Sequence, residues 1–195
     1  MDISNCSAPC WNSIVPGRTT KLDAVSQLEN LSIIDRSSIL DNEVDDRRSN
    51  VWAKFANDVK ELNVRIHFVD DTSIATVFDV RNTLSMSSMI AMVGTPDYVF
   101  AKVGCADTQW ITVGLLQLTS GTYVEYFDNS VSASKSVAIL PDSPVYKVTF
   151  YDPEMLDEIL ENYIILDPSD TPQSFRSNLQ TWNGYGEVSV SGGCD

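Results

Sequence analysis

Apolar residues recur along this chain with two different spacings, and those spacings predict most of its elements. After a lead-in over residues 1–18, whose Trp11, Ile14 and Val15 can lie on a core, Pro16-Gly17 marks a turn. Leu22, Val25, Leu28 and Leu31 then recur every three residues. They follow Thr20, and Asp23 three residues on resembles a capping box with a shortened acid, which predicts a first helix. Val51, Trp52, Phe55 and Val59 read as a second helical stripe, with a polar, acidic surface loop over residues 37–48 between the two. Val64, Ile66 and Phe68 alternate with Arg65 and His67. The acidic turn Asp70-Asp71 follows, then Ile74, Thr76, Phe78 and Val80, and the whole predicts a β-hairpin. Met86, Met89, Ile90 and Val93 sit at i, i+3, i+4 and i+7, and Gly94-Thr95-Pro96 ends the helix they define.

Beyond it, the β-rich runs 98–103, 110–118 and 122–127 are separated by Gly, Asp and Ser turns and predict an antiparallel meander. A polar stretch over 128–136 leads to a strand over 145–151. Asp152-Pro153-Glu154 then supplies an N-cap, a Pro at the first helical position and an acid in the first turn. The helix that follows carries Leu156, Ile159, Leu160 and Tyr163 on one face and is expected to end near Tyr163. Pro168 and Pro172 bracket a loop, 175–179 reads as a short helix, 182–186 as a turn and 187–191 as a terminal strand.

Composition narrows the function classes. With 43% hydrophobic and 21% charged residues in 195, disorder throughout is excluded. Asp and Glu number 27 against 13 Lys and Arg, a net charge of -14. No basic cluster exceeds Arg47-Arg48, so nucleic acid and anionic membrane surfaces are poor partners. No apolar run approaches the roughly 20 residues of a membrane span. One histidine, His67, excludes chemistry that needs two imidazoles. It shares the face opposite the apolar set with Arg65, and no Gly-x-Ser-x-Gly elbow accompanies it, so a sheet histidine is favoured over a catalytic one. No catalytic residue, metal site or cofactor is assigned.

Cys6, Cys10, Cys105 and Cys194 allow three pairings. Cys6-x-x-x-Cys10 has the spacing of half a zinc site but lacks a second half. Two disulfides, one tying down the N-terminal segment, and plain free thiols are both favoured over zinc. Residues 1–5 have neither a basic nor an apolar region of a signal peptide, so this chain is read as carrying none, with a removed one suspected. Acids gather at 41–46, at Asp70-Asp71, at Asp157, Glu158 and Glu161, and at 167–170. None has the EF-hand spacing, and solvated surface is favoured over calcium. Trp52 and Trp110 are core residues by default, as is the cluster of Met86, Met89 and Met92. Trp182 and Tyr185 flank Gly184 in a turn and are a candidate contact patch for a protein or sugar, against a loop that folds back over the core.

Two stretches share a plan of turn or cap, apolar helix, break and strands: residues 14–28 and 84–98. The Pro16-Gly17-x-Thr19-Thr20 start and the helix-Gly94-Thr95-Pro96-strand arrangement resemble two extracytoplasmic groups. These are the small outer-membrane lipoprotein of the barrel-assembly machinery and the tandem repeats of the beta-lactamase inhibitor proteins. Cys10-Trp11-Asn12-Ser13-Ile14-x-Pro16-Gly17-x-Thr19-Thr20, Gly94-Thr95-Pro96-Asp97-Tyr98-Val99 and Phe150-Tyr151-Asp152-Pro153 are further similar to an uncharacterised family of exported or lipid-anchored bacterial proteins. Departures from these patterns are plain: Asn12-Ser13 replaces an expected Gly, only the second copy keeps Gly-x-Pro, and Cys6 lacks a lipobox. The resemblance implies helix-plus-sheet modules that hold other proteins.

The expected fold is therefore α+β, two tandem helix-plus-antiparallel-sheet modules of the inhibitor type. Residues 1–82 form the first and 83–195 the second, with one continuous sheet carrying helices on one face as a variant. The expected function is a noncatalytic, extracytoplasmic protein-binding or structural module, secreted or in the cell envelope, with another protein as partner and a lipid anchor on the natural precursor left open. An enzyme inhibitor is the first alternative, using Trp110, Tyr123 and Glu125 as its contact surface. An acid-based hydrolase or calcium-dependent binder is the second.

Overall fold

Residues 34–55 decide the architecture. The computed structural model describes residues 9–56, 62–105, 109–128, 135–162, 164–165 and 171–192, without the side chains of Cys105 and Gln109. Where the pattern suggested a loop and a second helix, the chain forms a hairpin of β1 (Ile34–Glu43) and β2 (Arg48–Phe55). Ser49, Val51 and Ala53 are buried while Asn50, Trp52 and Lys54 face the other way, a period of two that the helical reading of Val51, Trp52 and Phe55 missed. Val59, the last member of that stripe, lies outside the described residues. The polar composition of β1 suits an edge strand, which buries little.

The helix α1 (Lys21–Asn30) starts where expected, Thr20 accepting the Asp23 N–H. Its buried face is Ala24 and Leu28, however, and Leu22 is 80% exposed. Leu22→Lys is therefore expected to change stability by less than about 0.5 kcal/mol, and Leu28→Ala to cost about 3 kcal/mol. Urea denaturation checks both, and comparable losses would place α1 on the wrong face. The next hairpin, β3 (Asn63–Val69) and β4 (Thr72–Ser85), turns through Asp70 and Asp71 at φ +48° and +62°. Two left-handed residues are what a two-residue turn between twisted strands requires. The second long helix, α2 (Met86–Val93), is capped by Ser85 and ended by Gly94, with Met86 and Met89 buried.

The meander forms as β5 (Tyr98–Cys105), β6 (Gln109–Gln117) and β7 (Thr122–Asp128). A short strand that the pattern did not show, β8 (Ser136–Ile139), follows the polar stretch and precedes β9 (Pro144–Tyr151). Asp152 caps a 3-10 turn (Pro153–Met155) that runs into α3 (Leu156–Glu161), which ends two residues before the expected Tyr163, with Asn162 after its end. Tyr163 lies outside the described residues, and so do the residues around Pro168. Pro172 opens a helix instead of closing a loop: α4 (Pro172–Ser177) has a capping box at Thr171 and Ser174. The chain ends in β10 (Gln180–Thr181) and β11 (Gly186–Ser189).

Among the described residues, nine strands make one antiparallel sheet in the order β1-β2-β3-β4-β9-β7-β6-β5-β10, and β8 and β11 make a second, smaller one. This β-rich fold replaces the two helix-plus-sheet modules of the inhibitor type. The reason is β4: it runs through Asn82, pairs with β3 on one side and β9 on the other, and β9 pairs with β7 of the meander. Residues before and after 82 thus share one hydrogen-bonded ladder. Its cross-strand row Ala53–Val64–Phe78–Val148–Val124–Leu115–Val99 forms the floor of the larger core. That core also takes in Trp11 and Ile14 from the lead-in, Leu28, Met86 and Met89 from the two long helices, and Val137, Ile139 and Val188 from the small sheet. Trp11 meets Phe78 edge-on at 5.0 Å. On the opposite sheet face, α3 and α4 cover only one part with Ile159, Leu160 and Phe175.

Candidate functional site

The remainder of that second face carries the polar chemistry of the sheet. Leu40–Trp52–Arg65–Val77–Thr149–Tyr123–Leu116–Tyr98 are cross-strand neighbours in one row, and Lys54–Asn63–Asp79–Lys147–Glu125–Gly114–Phe100 in the next. Because side chains alternate along each strand, both rows project from the same face. The helices close over the end of the rows holding Tyr98, Phe100, Leu116 and Tyr123. Trp52, Lys54, Arg65, Asp79 and Lys147 are left outside that cover.

Glu125 is buried, and Lys147 meets its carboxylate at 3.1 Å. The Tyr123 hydroxyl donates to the other oxygen of Glu125 at 3.4 Å, from a ring laid over Gly114, where a Cβ would come within 2.4 Å of it. Trp110 lies over Gly104 in the same way and donates from Nε1 to the Thr112 hydroxyl at 3.2 Å. Glycine in these two strands is therefore a seat for an aromatic ring on the neighbouring strand. Phe127 and Tyr146 pair at 4.7 Å, and the Lys54 ammonium lies 5.4 Å from the Trp52 ring centre.

His67 is on this face too, half-buried between Asn50 and Ala75 of the flanking strands. Burial, then the charges of Arg65 and Lys147, push its pKa down to about 4. The ring is therefore neutral at pH 7, and no hydroxyl or thiol nucleophile is within hydrogen-bonding distance of it among the described residues. The unfolded chain binds a proton near 6.5 and the folded one only near 4. Stability contributed by the neutral ring is complete above 6.5 and is lost as pH falls toward 4. From pH 7 to pH 5 the parent is expected to lose about 2 kcal/mol more than His67→Gln. Urea midpoints at the two pH values measure this, and equal losses would show that His67 is not desolvated.

The sequence candidates separate into two places. Trp110, Tyr123 and Glu125 do share the second face, but Tyr123 and Glu125 are buried, so they support the surface instead of forming it. Trp182 and Tyr185 meet edge-on at 5.8 Å, with Trp182 packed on the larger core and Tyr185 42% exposed. They belong to the other side of the sheet. Cys10 is buried and disulfide-bonded, and the side chains of Cys6, Cys105 and Cys194 lie outside the described residues.

Two of the acidic groups meet across a cleft of about 440 Å³ lined by Asp45, Asp46, Arg47, Arg48, Glu158, Glu161 and Asn162. Arg47 pairs with Asp70 at 2.9 Å, and Arg48 with Asp45 and Asn162. These arginines hold the carboxyls of Asp70 and Asp45 below the usual carboxylate range. Among the described residues, no three His, Cys, Asp or Glu side chains converge on a point that could hold a metal. Residues 167–170 lie outside them. A second cleft, about 430 Å³, is lined mainly by Ile33, Phe55, Leu62, Phe78, Val80 and Leu84 where β4 bulges at Arg81 and Asn82.

What pattern reading missed is Trp52, Arg65 and Lys147 as one surface. The alternation of Arg65 and His67 was visible, but Lys147 enters only through the β4–β9 pairing. Comparison of the chain with protein-family models, curated proteins and solved structures gives no match. Among the described residues, no helix is long and apolar enough to cross a membrane.

Proposed function

We propose that this chain is a noncatalytic, extracytoplasmic module that binds another protein. The observation that carries the reading is the part of the second sheet face that stays uncovered among the described residues, where Trp52 and Phe127 stand among Lys54, Arg65, Asp79 and Lys147. Aromatic rings interleaved with arginine are the composition of protein contact surfaces, and the strands beneath hold them in a preset geometry. The disulfide at Cys10 supports life in an oxidising compartment.

A photo-crosslinking amino acid placed at Trp52 or at Lys54 tests this in the organism or compartment of origin. One protein is expected to be captured from both positions and none from Leu22, which is exposed on α1. Capture from all three positions alike, or from none, overturns the reading.

A further inference from the structure

The large sheet has two edges, and the chain treats them differently. At the β5 end, β10 pairs along residues 98 and 99, and Lys102 bridges to Ser191. At the other end β1 is the last strand, and among the described residues nothing pairs with its outer side. Val44 donates its N–H to the Arg48 carbonyl at 2.8 Å, and the pairing continues regularly through Asn42 with Asn50 and Leu40 with Trp52. In an antiparallel ladder these alternate residues turn their backbone groups toward β2. The N–H and C=O groups of Asp41 and Glu43 therefore turn outward. A register shift between Asp35 and Leu40 breaks up the first part of the strand and leaves residues 40–43 as its regular edge, followed by Val44.

Exposed apolar groups gather beside this edge. Ile33, Leu40 and Val44 are 42%, 52% and 56% exposed, half of the six large apolar side chains exposed among the described residues. Leu40 and Val44 lie on one face with Asn42 between them. On the other face Asp41 and Glu43 both hold the Lys21 ammonium, at 3.1 and 2.6 Å. Asp46 follows at the turn and makes no ion pair among the described residues. The chain as a whole carries -14.

We propose that residues 40–43 of β1, with Val44 just after it, take an extended, cationic segment of a partner protein as an added strand. The partner's main chain bonds to Asp41 and Glu43, its apolar side chains lie on Leu40 and Val44, and its lysines or arginines face Asp41, Glu43 and Asp46. A second copy of this chain fits worse, because β1 against β1 sets the acids of two strongly negative molecules opposite each other. The proposal rests on the protein-binding reading for its use and adds the site and the chemistry of what it holds.

The test uses the full chain and a short capped peptide alternating lysine with valine, followed by calorimetry and backbone amide exchange. Binding is expected to slow exchange at Asp41 and Glu43 by about tenfold or more and to weaken about tenfold from low to high salt. Asp41→Pro, which removes an outward N–H, and Leu40→Lys, which sets a cation against the peptide, are each expected to weaken it about tenfold. Leu40 is exposed, so its variant serves if the proline variant does not fold. A glutamate-valine peptide and a backbone-methylated lysine-valine peptide are expected not to bind.

No binding of the lysine-valine peptide, or binding without slowed exchange at Asp41 and Glu43, overturns the proposal. Equal binding by the methylated peptide does so too, as charge adsorption. Slowed exchange that grows with protein concentration in the absence of peptide overturns it in favour of a second copy. The probe is synthetic, so these results are separate from the crosslinking: a missing natural partner rejects the protein-binding reading without altering what the peptide reports.

Discussion

Met89→Asp is expected to leave the chain without cooperative tertiary structure. Met89 is fully buried on α2 within the larger core, whose floor is the row through Phe78, Val148 and Val124. No basic residue lies in the last turn of α2, and that core consists of apolar side chains, so nothing there can pair with a carboxylate. Burying it unpaired, and losing the methionine packing as well, costs several kcal/mol against a total stability of about 5–15 kcal/mol. Near-ultraviolet circular dichroism and a thermal melt measure the outcome, with Met89→Leu as a variant expected to keep most of the stability. A Met89→Asp protein that melts at the parent temperature would show that α2 does not lie on the sheet.

Gly121→Ala is expected to cost about 3 kcal/mol, from two causes that a second glycine separates. Gly121 turns β6 into β7 at φ +61°, and its carbonyl accepts the Tyr151 N–H at 2.7 Å. A Cβ there would stand 1.9 Å from the Tyr151 carbonyl oxygen, a backbone atom that can yield only if β9 moves. Gly184 also has a positive φ, +96°, but a Cβ there meets nothing within 4 Å. Gly184→Ala should therefore show the conformational part alone, about 1 kcal/mol. Urea denaturation of the two variants gives the difference, and equal losses would remove the close approach of the β6–β7 turn to Tyr151.

These two sites lie in elements that were readable from pattern. Met86, Met89, Ile90 and Val93 spell α2 because an isolated helix face needs only local spacing, and Gly94 stops it because φ there is +99°. The hairpin through Asp70 and Asp71 and the meander were readable for the same reason: alternation and turn residues act over a few positions. The β1–β2 hairpin was not. Val51 and Phe55 satisfy a helical spacing as well as a strand's, and the choice fell to β3, which offers Val64 and Ile66 to Ala53 and Val51. The polar β1 and the four-residue β8 carry too few apolar positions to signal either state.

For the candidate surface, the i, i+2 spacing of Tyr123 and Glu125 already puts them on one face, but their burial depends on α3 and α4 and on Lys147. The joining of His67, Arg65 and Lys147 likewise depends on β4 and β9 standing side by side, a non-local pairing with no trace in local sequence.

By itself, then, the sequence determined the long helices, their caps, two sets of antiparallel strands and a net charge that disfavours phosphate partners. Local backbone preferences and charge sums need nothing further. Tertiary structure alone decided that, among the described residues, nine strands join in one sheet, one face is only partly covered, and nothing pairs with the outer side of β1. Each of these depends on which apolar surfaces find one another across long stretches of chain, and burial rewards the best global match over the most regular local pattern.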